Sequence, residues 1–145
     1  FVSAGPYIIA SIAMLVWAGI VDRSGKRVGN LVLTCGLATA GLLLSVVFGE
    51  FWLSFFWLTV ALVGITAARA VFWTVPARFL TGVAAAGGLA FINSIGTIGG
   101  FVGPAVVGWL KDLTGSFAAG LIGMGGFLLL SAVLAAALKV FAPRE

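Results

Sequence analysis

The chain has 145 residues, of which 62% are hydrophobic and only 8% are charged, and its formal net charge is +4. Soluble domains carry about 25% charged residues, so this composition excludes a soluble domain and indicates a protein of the lipid bilayer. In such a protein the positive charge reports orientation, and no basic patch interleaved with aromatic residues predicts a nucleic-acid partner.

Five apolar stretches follow one another along the chain, and each can supply the roughly 20 mainly apolar residues that a membrane helix needs. The third is interrupted only by Arg69 and is expected to end at Pro76, which cannot continue the hydrogen-bond ladder of a helix. The fourth is too long for one upright span, so its start at Thr81 and Gly82 is interpreted as a loop. The sequence therefore predicts an all-α membrane protein with spans at about 1–21, 31–48, 51–73, 84–110 and 116–138.

A charged loop at residues 22–29 separates the first two spans and indicates the cytoplasmic side. If this loop is cytoplasmic, Lys111 is the only basic residue that falls on the outer side of the membrane. The chain is therefore predicted to have its N-terminus outside and its C-terminus in the cytoplasm. Phe1 already belongs to a span and no signal peptide precedes it, so we expect upstream helices in a longer protein. The basic residues assigned to the inside are Arg23, Lys26, Arg27, Arg78, Lys139 and Arg144.

Motifs along the whole chain resemble one family of transporters. Residues 19–27 follow the pattern G-x-x-D-R-x-G-[KR]-[KR], which resembles the signature loop of the major facilitator superfamily. Residues 72–82 (F-W-x-V-P-x-R-F-L-x-G) and 92–104 (I-N-S-I-G-x-x-G-G-F-V-G-P) resemble the tenth and eleventh helices of its anion:cation symporter branch, and residues 111–116 resemble the turn that follows. Within this branch the chain is most similar to the bacterial tartrate and phthalate transporter-like proteins. Thr97 is a departure, because many relatives carry Asn there.

The resemblance implies that the five spans correspond to helices 8–12 of a twelve-helix major facilitator fold. Such a transporter has two lobes built of repeats, with the substrate site at the bilayer midplane between them and alternating access by rocking. The chain would form most of the C-terminal lobe, and the N-terminal lobe would be absent. The implied function is transport of a small organic anion, a carboxylate, together with a proton or another cation, in a bacterial inner membrane. The predicted spans hold no carboxylate, so any coupling acid would lie in the absent lobe.

The resemblance also implies a conformational latch in the charged loop. In the family, the acidic residue of this loop docks against the start of a helix in the opposite lobe, where the helix dipole favours negative charge, and it leaves when the lobes rock. A glycine in the loop permits a tight turn, because glycine reaches positive φ at no steric cost. An ordinary cytoplasmic loop of a membrane protein would carry similar charges. The candidate latch residues are Asp22, Arg23, Gly25, Lys26 and Arg27.

Small residues recur along the fourth span at a four-residue spacing. Such a row lets two helix backbones approach closely, because packing drives the association of helices in lipid. A proline within the row bends the helix and leaves a carbonyl unpaired, so this helix either flexes during transport or packs statically. The residues are Gly96, Gly99, Gly100, Gly103, Pro104 and Gly108.

Asn93 is the only side-chain amide inside a predicted span, and it shares a helix face with Gly96 and Gly100. A buried amide offers donors and an acceptor to a polar ligand, but it could equally hold two helices together. The resemblance favours a substrate contact at Asn93, with Ser94 and Thr97 as weaker neighbours.

Arg69 is the only charged residue within a predicted span, and such residues are functional candidates by default. It lies about 27 Å along its helix, at 1.5 Å per residue, and therefore near the inner end of the bilayer core. It either snorkels to the cytoplasmic interface or faces the cavity and attracts a carboxylate. Pro6 and Tyr7 match a family position near the cavity, and their alternative is a kink with an interfacial tyrosine.

The residue types present do not predict an enzyme. The chain has no His, no metal-ligand cluster and no pair of acids within a span, so we expect neither a metal nor a cofactor. A serine nucleophile would lack its base, and Asp22 and Asp112 lie on opposite sides of the membrane, which excludes an aspartyl protease. The alternative to a transporter is a non-transporting multi-pass membrane scaffold or assembly subunit.

Overall fold

A computed structural model describes residues 4–141, without the side chains of residues 78, 79 and 139–141. All helices except the short α4 are long and apolar enough to cross a membrane, so the predicted all-α fold with five membrane helices is confirmed. Of the basic residues used to predict orientation, Arg144 and the side chains of Arg78 and Lys139 lie outside the described residues. The helices are α1 (Ala4–Ser24), α2 (Arg27–Val47), α3 (Phe51–Thr74), α4 (Pro76–Phe79), α5 (Gly82–Thr114) and α6 (Phe117–Phe141).

The charged segment after the first span is shorter than the loop predicted for residues 22–29. α1 continues to Ser24 and α2 begins at Arg27, which leaves only Gly25 and Lys26 outside a helix. Gly25 has a φ of +67°, and its N–H donates to the carbonyl of Val21 at 3.0 Å. The polar residues therefore extend the apolar helices, and the turn is confined to the glycine that can adopt the left-handed conformation.

α5 is likewise longer than the predicted span 84–110, and it begins at Gly82, which was expected to lie in a loop. It continues to Thr114 and stops at Gly115, which has a φ of +69° and donates its N–H to the carbonyl of Lys111 at 2.7 Å. The Lys111 ammonium lies 4.2 Å from the ring centroid of Phe117, the first residue of α6. This cation–π contact and the glycine cap together define the turn between α5 and α6.

Pro76 separates α3 from α4. α3 ends at Thr74 and Pro76 is the first residue of α4, a position where its missing N–H removes no intrahelical bond. Because Pro76 has no N–H to donate to the carbonyl of Phe72, that carbonyl accepts the N–H of Val75 at 3.1 Å. The backbone thus passes from α3 to α4 at Val75, within about one helical turn.

α2 lies at the centre of the bundle, between α3 and α6, while α1 packs mainly on α3, and α5 on α6. The helices α2 and α3 touch backbone to backbone. A Cβ atom added at Gly41 would lie 2.6 Å from the amide nitrogen of Ala61, and one added at Gly64 would lie 2.6 Å from that of Ala38. These reciprocal glycine–alanine pairs provide the close approach that helix packing in lipid requires.

The core near the Gly25 turn is built from small and medium apolar side chains of four helices. It includes the single cysteine, Cys35, which is buried. Trp17 of α1 packs against this cluster from its edge. The core therefore joins α1, α2, α3 and α6 at one end of the bundle. Its members are Val21, Leu31, Cys35, Ala68, Val71, Ala132 and Ala135.

The buried hydroxyl groups of α2 bond to their own helix. Thr34 donates to the carbonyl of Asn30 at 3.0 Å, and Thr39 donates to that of Cys35 at 2.9 Å. A hydroxyl group in a membrane interior must find an internal acceptor, because no water is present to supply one. These residues are therefore satisfied structural positions and do not offer a free donor to a ligand.

Candidate functional site

The turn at Gly25 is held by side chains that the sequence did not single out. The amide of Asn30 donates to the hydroxyl of Ser24 at 3.2 Å and to the carbonyl of Lys26 at 2.7 Å. Asn30 therefore ties the end of α1 to the start of α2. Its position four residues after Lys26, at a helix start, is the signal that could have identified it.

The acidic residue of the predicted latch is exposed. Asp22 lies in the last turn of α1 and has no hydrogen bond or ion pair with any residue in the described part of the chain. Arg23 follows it, also exposed, at a helix end where the dipole favours a cation. The carboxylate is thus available to a partner outside these helices, and the latch itself stays a prediction.

Arg27 differs from the other basic residues of the loop, because it points into its own bundle. Its Nη1 donates to the carbonyl of Thr74, the last residue of α3, at 3.1 Å. Its Nε is buried and finds no acceptor among residues 4–141. The sequence placed Arg27 in the latch, whereas the structure joins it to the C-terminal end of α3.

Arg69 lies on the open side of α3. The residues that face the other helices, among them Ala61, Gly64 and Ala68, are buried, while Arg69 is exposed. Arg69 follows Leu62 by seven residues, which is about two turns, so both residues lie on the same side of the helix. The guanidinium has no hydrogen-bond or ion-pair partner within the described ranges. Both alternatives predicted for Arg69, snorkelling to the interface and contact with an anion, require an exposed guanidinium without a partner in this bundle.

Tyr7 opens onto a pocket between α1 and α3. The pocket has a volume of about 240 Å³, and its wall includes Thr59 and Leu62 of α3. Arg69 lies about 10 Å along the α3 axis from Leu62, at 1.5 Å per residue. The structure therefore brings Tyr7 and Arg69 to the same open side of the α1–α3 pair. The pocket is lined by Pro6, Tyr7, Phe55, Leu58, Thr59 and Leu62.

The candidate substrate residues of α5 lie apart from this group. Ser94 and Thr97 are exposed, and their hydroxyl groups already donate to the carbonyls of Ala90 and Asn93, each at 2.9 Å. The amide of Asn93 is exposed and has no partner in the part of the chain that is described. Among the α5 candidates, Asn93 is therefore the side chain whose donors and acceptor are available to a ligand.

The glycine row of α5 does not pack closely against the helices described. No atom outside the helix's own backbone lies within 4 Å of a Cβ added at any of these glycines. α5 has no buried residue, and its main contact is with α6. The close packing predicted for this row would need a helix beyond those described. The glycines concerned are Gly96, Gly99, Gly100, Gly103 and Gly108, and α5 continues through Pro104 without a break.

A second apolar cavity, of about 390 Å³, separates α5 from α3. Its wall contains Ile65 of α3, Gly99 and Gly103 of α5, and Phe127 and Ser131 of α6. α5 therefore packs mainly on α6, and this cavity lies between α5 and α3.

The chain is similar in sequence to several bacterial proteins that are named as transporters. A protein of Agrobacterium vitis named as a tartrate transporter is 44% identical over 144 residues, which are 99% of this chain and 32% of that protein. The quinolone resistance transporter of Acinetobacter baumannii is 39% identical over 134 residues, which are 92% of this chain and 31% of that protein. The inner membrane transport protein RhmT of Escherichia coli strain K12 is 31% identical over 139 residues, or 96% of this chain and 32% of RhmT.

The chain spans about a third of the length of these curated relatives. No family profile matches the chain, and no solved structure matches it. The relatives are transporters and not enzymes, in agreement with the interpretation of the sequence. The resemblance drawn from the charged loop and the helix motifs is thereby confirmed, and the chain fits the C-terminal part of a transporter of the major facilitator type.

Proposed function

We propose that the transporter containing this chain moves a small organic anion, a carboxylate, across the bacterial inner membrane. Two relatives from Agrobacterium vitis carry the name tartrate transporter, and tartrate is a dicarboxylate. The observation that carries the proposal is the free guanidinium of Arg69 on the open side of α3. A cation that is unpaired within an apolar bundle is unfavourable unless an anion or the membrane interface compensates for it.

Arg69 and the pocket at Tyr7 lie on the same open side of α1 and α3, and together they suit a small anion. Arginine binds carboxylates with two parallel hydrogen bonds, which gives both affinity and a defined orientation. The pocket at Tyr7 has a volume of about 240 Å³, which is about eight water molecules at 30 Å³ each. The phenol of Tyr7 there could bind the hydroxyl groups or the far end of a small acid. Asn93 of α5 would contact the same substrate from across the cavity.

Transport would proceed by alternating access, with this chain as most of the C-terminal lobe and the rest of the site in the N-terminal lobe. Coupling to a proton or another cation would need an acid outside residues 4–141, because the acidic residues in that range, Asp22, Glu50 and Asp112, all lie at helix ends. Asp22 would act as the latch, meeting the start of a helix in the other lobe. In this arrangement the Gly25 turn faces the cytoplasm and the N-terminal end of α1 lies outside.

Uptake of radiolabelled tartrate by proteoliposomes containing the full-length transporter tests the proposal. We expect Arg69→Gln to raise the KM at least about tenfold, since a hydrogen bond to a charged group contributes about 1.5–3 kcal/mol. Arg69→Lys keeps the charge but not the planar fork, so its KM should be intermediate. Lys111→Gln removes a charge at the far end of α5 and should leave uptake unchanged.

The same vesicles test coupling. An imposed inward proton or sodium gradient should accelerate uptake, and dissipating that gradient should remove the acceleration. A wild-type KM in Arg69→Gln would remove Arg69 from the site. Absence of gradient-stimulated uptake of tartrate and of succinate in the wild type would contradict carboxylate symport and would favour the non-transporting alternative.

A further inference from the structure

The last turn of α3 and the first turn of α2 meet at Arg27. The final four carbonyls of a helix have no intrahelical donor and must find other partners. In α3, the carbonyl of Val71 accepts the hydroxyl of Thr74 at 2.6 Å, and that of Phe72 accepts the N–H of Val75 at 3.1 Å. The carbonyl of Thr74 accepts the guanidinium of Arg27 at 3.1 Å, across 47 residues of sequence.

The position of Arg27 is unfavourable within its own helix. Arg27 is the first residue of α2 and Lys26 is its N-cap, so two cations lie at the positive end of the α2 dipole, where no side chain caps the helix. The negative end of the α3 dipole lies next to it, and there a cation is favourable. The side chain of Lys26 is exposed, whereas Arg27 is half-buried with its Nε enclosed. The opposing helix end therefore holds the guanidinium.

We infer that Arg27 is a positioning residue that fixes the C-terminal end of α3 and thereby the junction between α3 and α4. Pro76 begins α4 two residues beyond Thr74, the last residue of α3, and the carbonyl of Thr74 accepts a hydrogen bond from a partner outside α3. Arg27 supplies such a partner from the charged segment. A movement of the Gly25 turn would then be transmitted directly to the end of α3, the helix that carries Arg69. This role is separate from substrate binding and does not depend on which ion or acid is moved.

Hydrogen exchange of backbone amides, measured by mass spectrometry on the full-length protein, tests this inference. In Arg27→Gln the segment 72–80 should exchange about tenfold faster, the lower end of what a hydrogen bond to a charged donor contributes. The rest of α3, from Phe51 to Val71, should keep its protection. Lys26→Gln removes the same charge from the same turn without touching Thr74, so it should leave segment 72–80 unchanged.

Two further variants separate positioning from a general loss of stability. Arg27→Lys retains a cation within reach of the α3 end but loses the planar fork, so its exchange at 72–80 should be intermediate. Pro76→Ala allows α3 to continue, and in a continuous helix the amide four residues ahead donates to the Thr74 carbonyl. In that background Arg27→Gln should add less than about twofold to the exchange rate at 72–80.

The inference fails if Arg27→Gln and Lys26→Gln exchange alike at 72–80. It also fails if Arg27→Gln accelerates exchange evenly over α2, α3 and α6, or if its effect is undiminished in the Pro76→Ala background. Because the readout is local exchange, these outcomes are independent of tartrate uptake. If the wild type takes up no tartrate while Arg27→Gln and Lys26→Gln differ at 72–80 as expected, the result counts against the proposed function and not against the role of Arg27.

Discussion

The contact between α2 and α3 predicts a specific cost for adding a single methyl group. In Gly41→Ala the new Cβ would lie 2.6 Å from the amide nitrogen of Ala61, so the helices must separate by about 0.8 Å to restore a 3.4 Å contact. A gap of 0.5–1 Å forfeits roughly a quarter to a half of the dispersion energy of each contact along the seam. We therefore expect a loss of about 1–3 kcal/mol in stability, as for other overpacked interiors.

The same separation of the helices would relieve both close approaches. Gly64→Ala should cost a similar amount, because its Cβ would lie 2.6 Å from the amide nitrogen of Ala38. The variant with both substitutions should then cost less than the sum of the two, which is the signature of coupled sites. Thermal unfolding of the full-length transporter in detergent, followed by size-exclusion fluorescence, measures this.

Gly36→Ala is the matched control for Gly41→Ala, since Gly36 lies in the same helix and has no atom within 4 Å of its added Cβ. Gly36→Ala should leave the melting temperature unchanged or raise it, because alanine stabilises a helix interior relative to glycine. Equal melting temperatures for Gly36→Ala and Gly41→Ala would refute the backbone contact. Strict additivity of Gly41→Ala and Gly64→Ala would refute the shared separation.

Three further predictions concern the turn and the α5 helix. Gly25→Ala should cost about 1–2 kcal/mol in thermal unfolding, because residue 25 has a φ of +67°, whereas Gly19→Ala, in the interior of α1, should be neutral or stabilising. Equal effects of these two substitutions would contradict the left-handed turn. Asn93→Ala should raise the KM for tartrate with normal expression, and an unchanged affinity would remove Asn93 from the site. Pro104→Ala restores an N–H to the carbonyl of Gly100 and should slow turnover at unchanged KM if α5 flexes during transport. An unchanged turnover number would favour static packing.

Prediction from sequence succeeded where the physical cause is local. The expectation of a tight turn at Gly25 depends on the conformational freedom of one residue, and the structure has that turn with positive φ. The extent of the loop was predicted less well, because Asp22 and Arg23 are compatible with a helix and continue α1 to Ser24. The site was predicted as single residues, and their grouping was not foreseen: Tyr7 and Arg69 share a side of α3, while Asn93 lies apart on α5.

The sequence by itself determined that the chain lies in a lipid bilayer, how many membrane helices it has and which family it belongs to. Each of these depends on composition, segment length or a short motif. The tertiary structure alone decided which glycines bring two helix backbones together: Gly41 and Gly64 do so, whereas the conspicuous row on α5 meets no neighbouring helix among the described residues. It also decided that Arg27 binds the end of α3. Lipid and protein interior are both apolar, so the pattern of hydrophobic residues does not reveal which face of a membrane helix meets its neighbour.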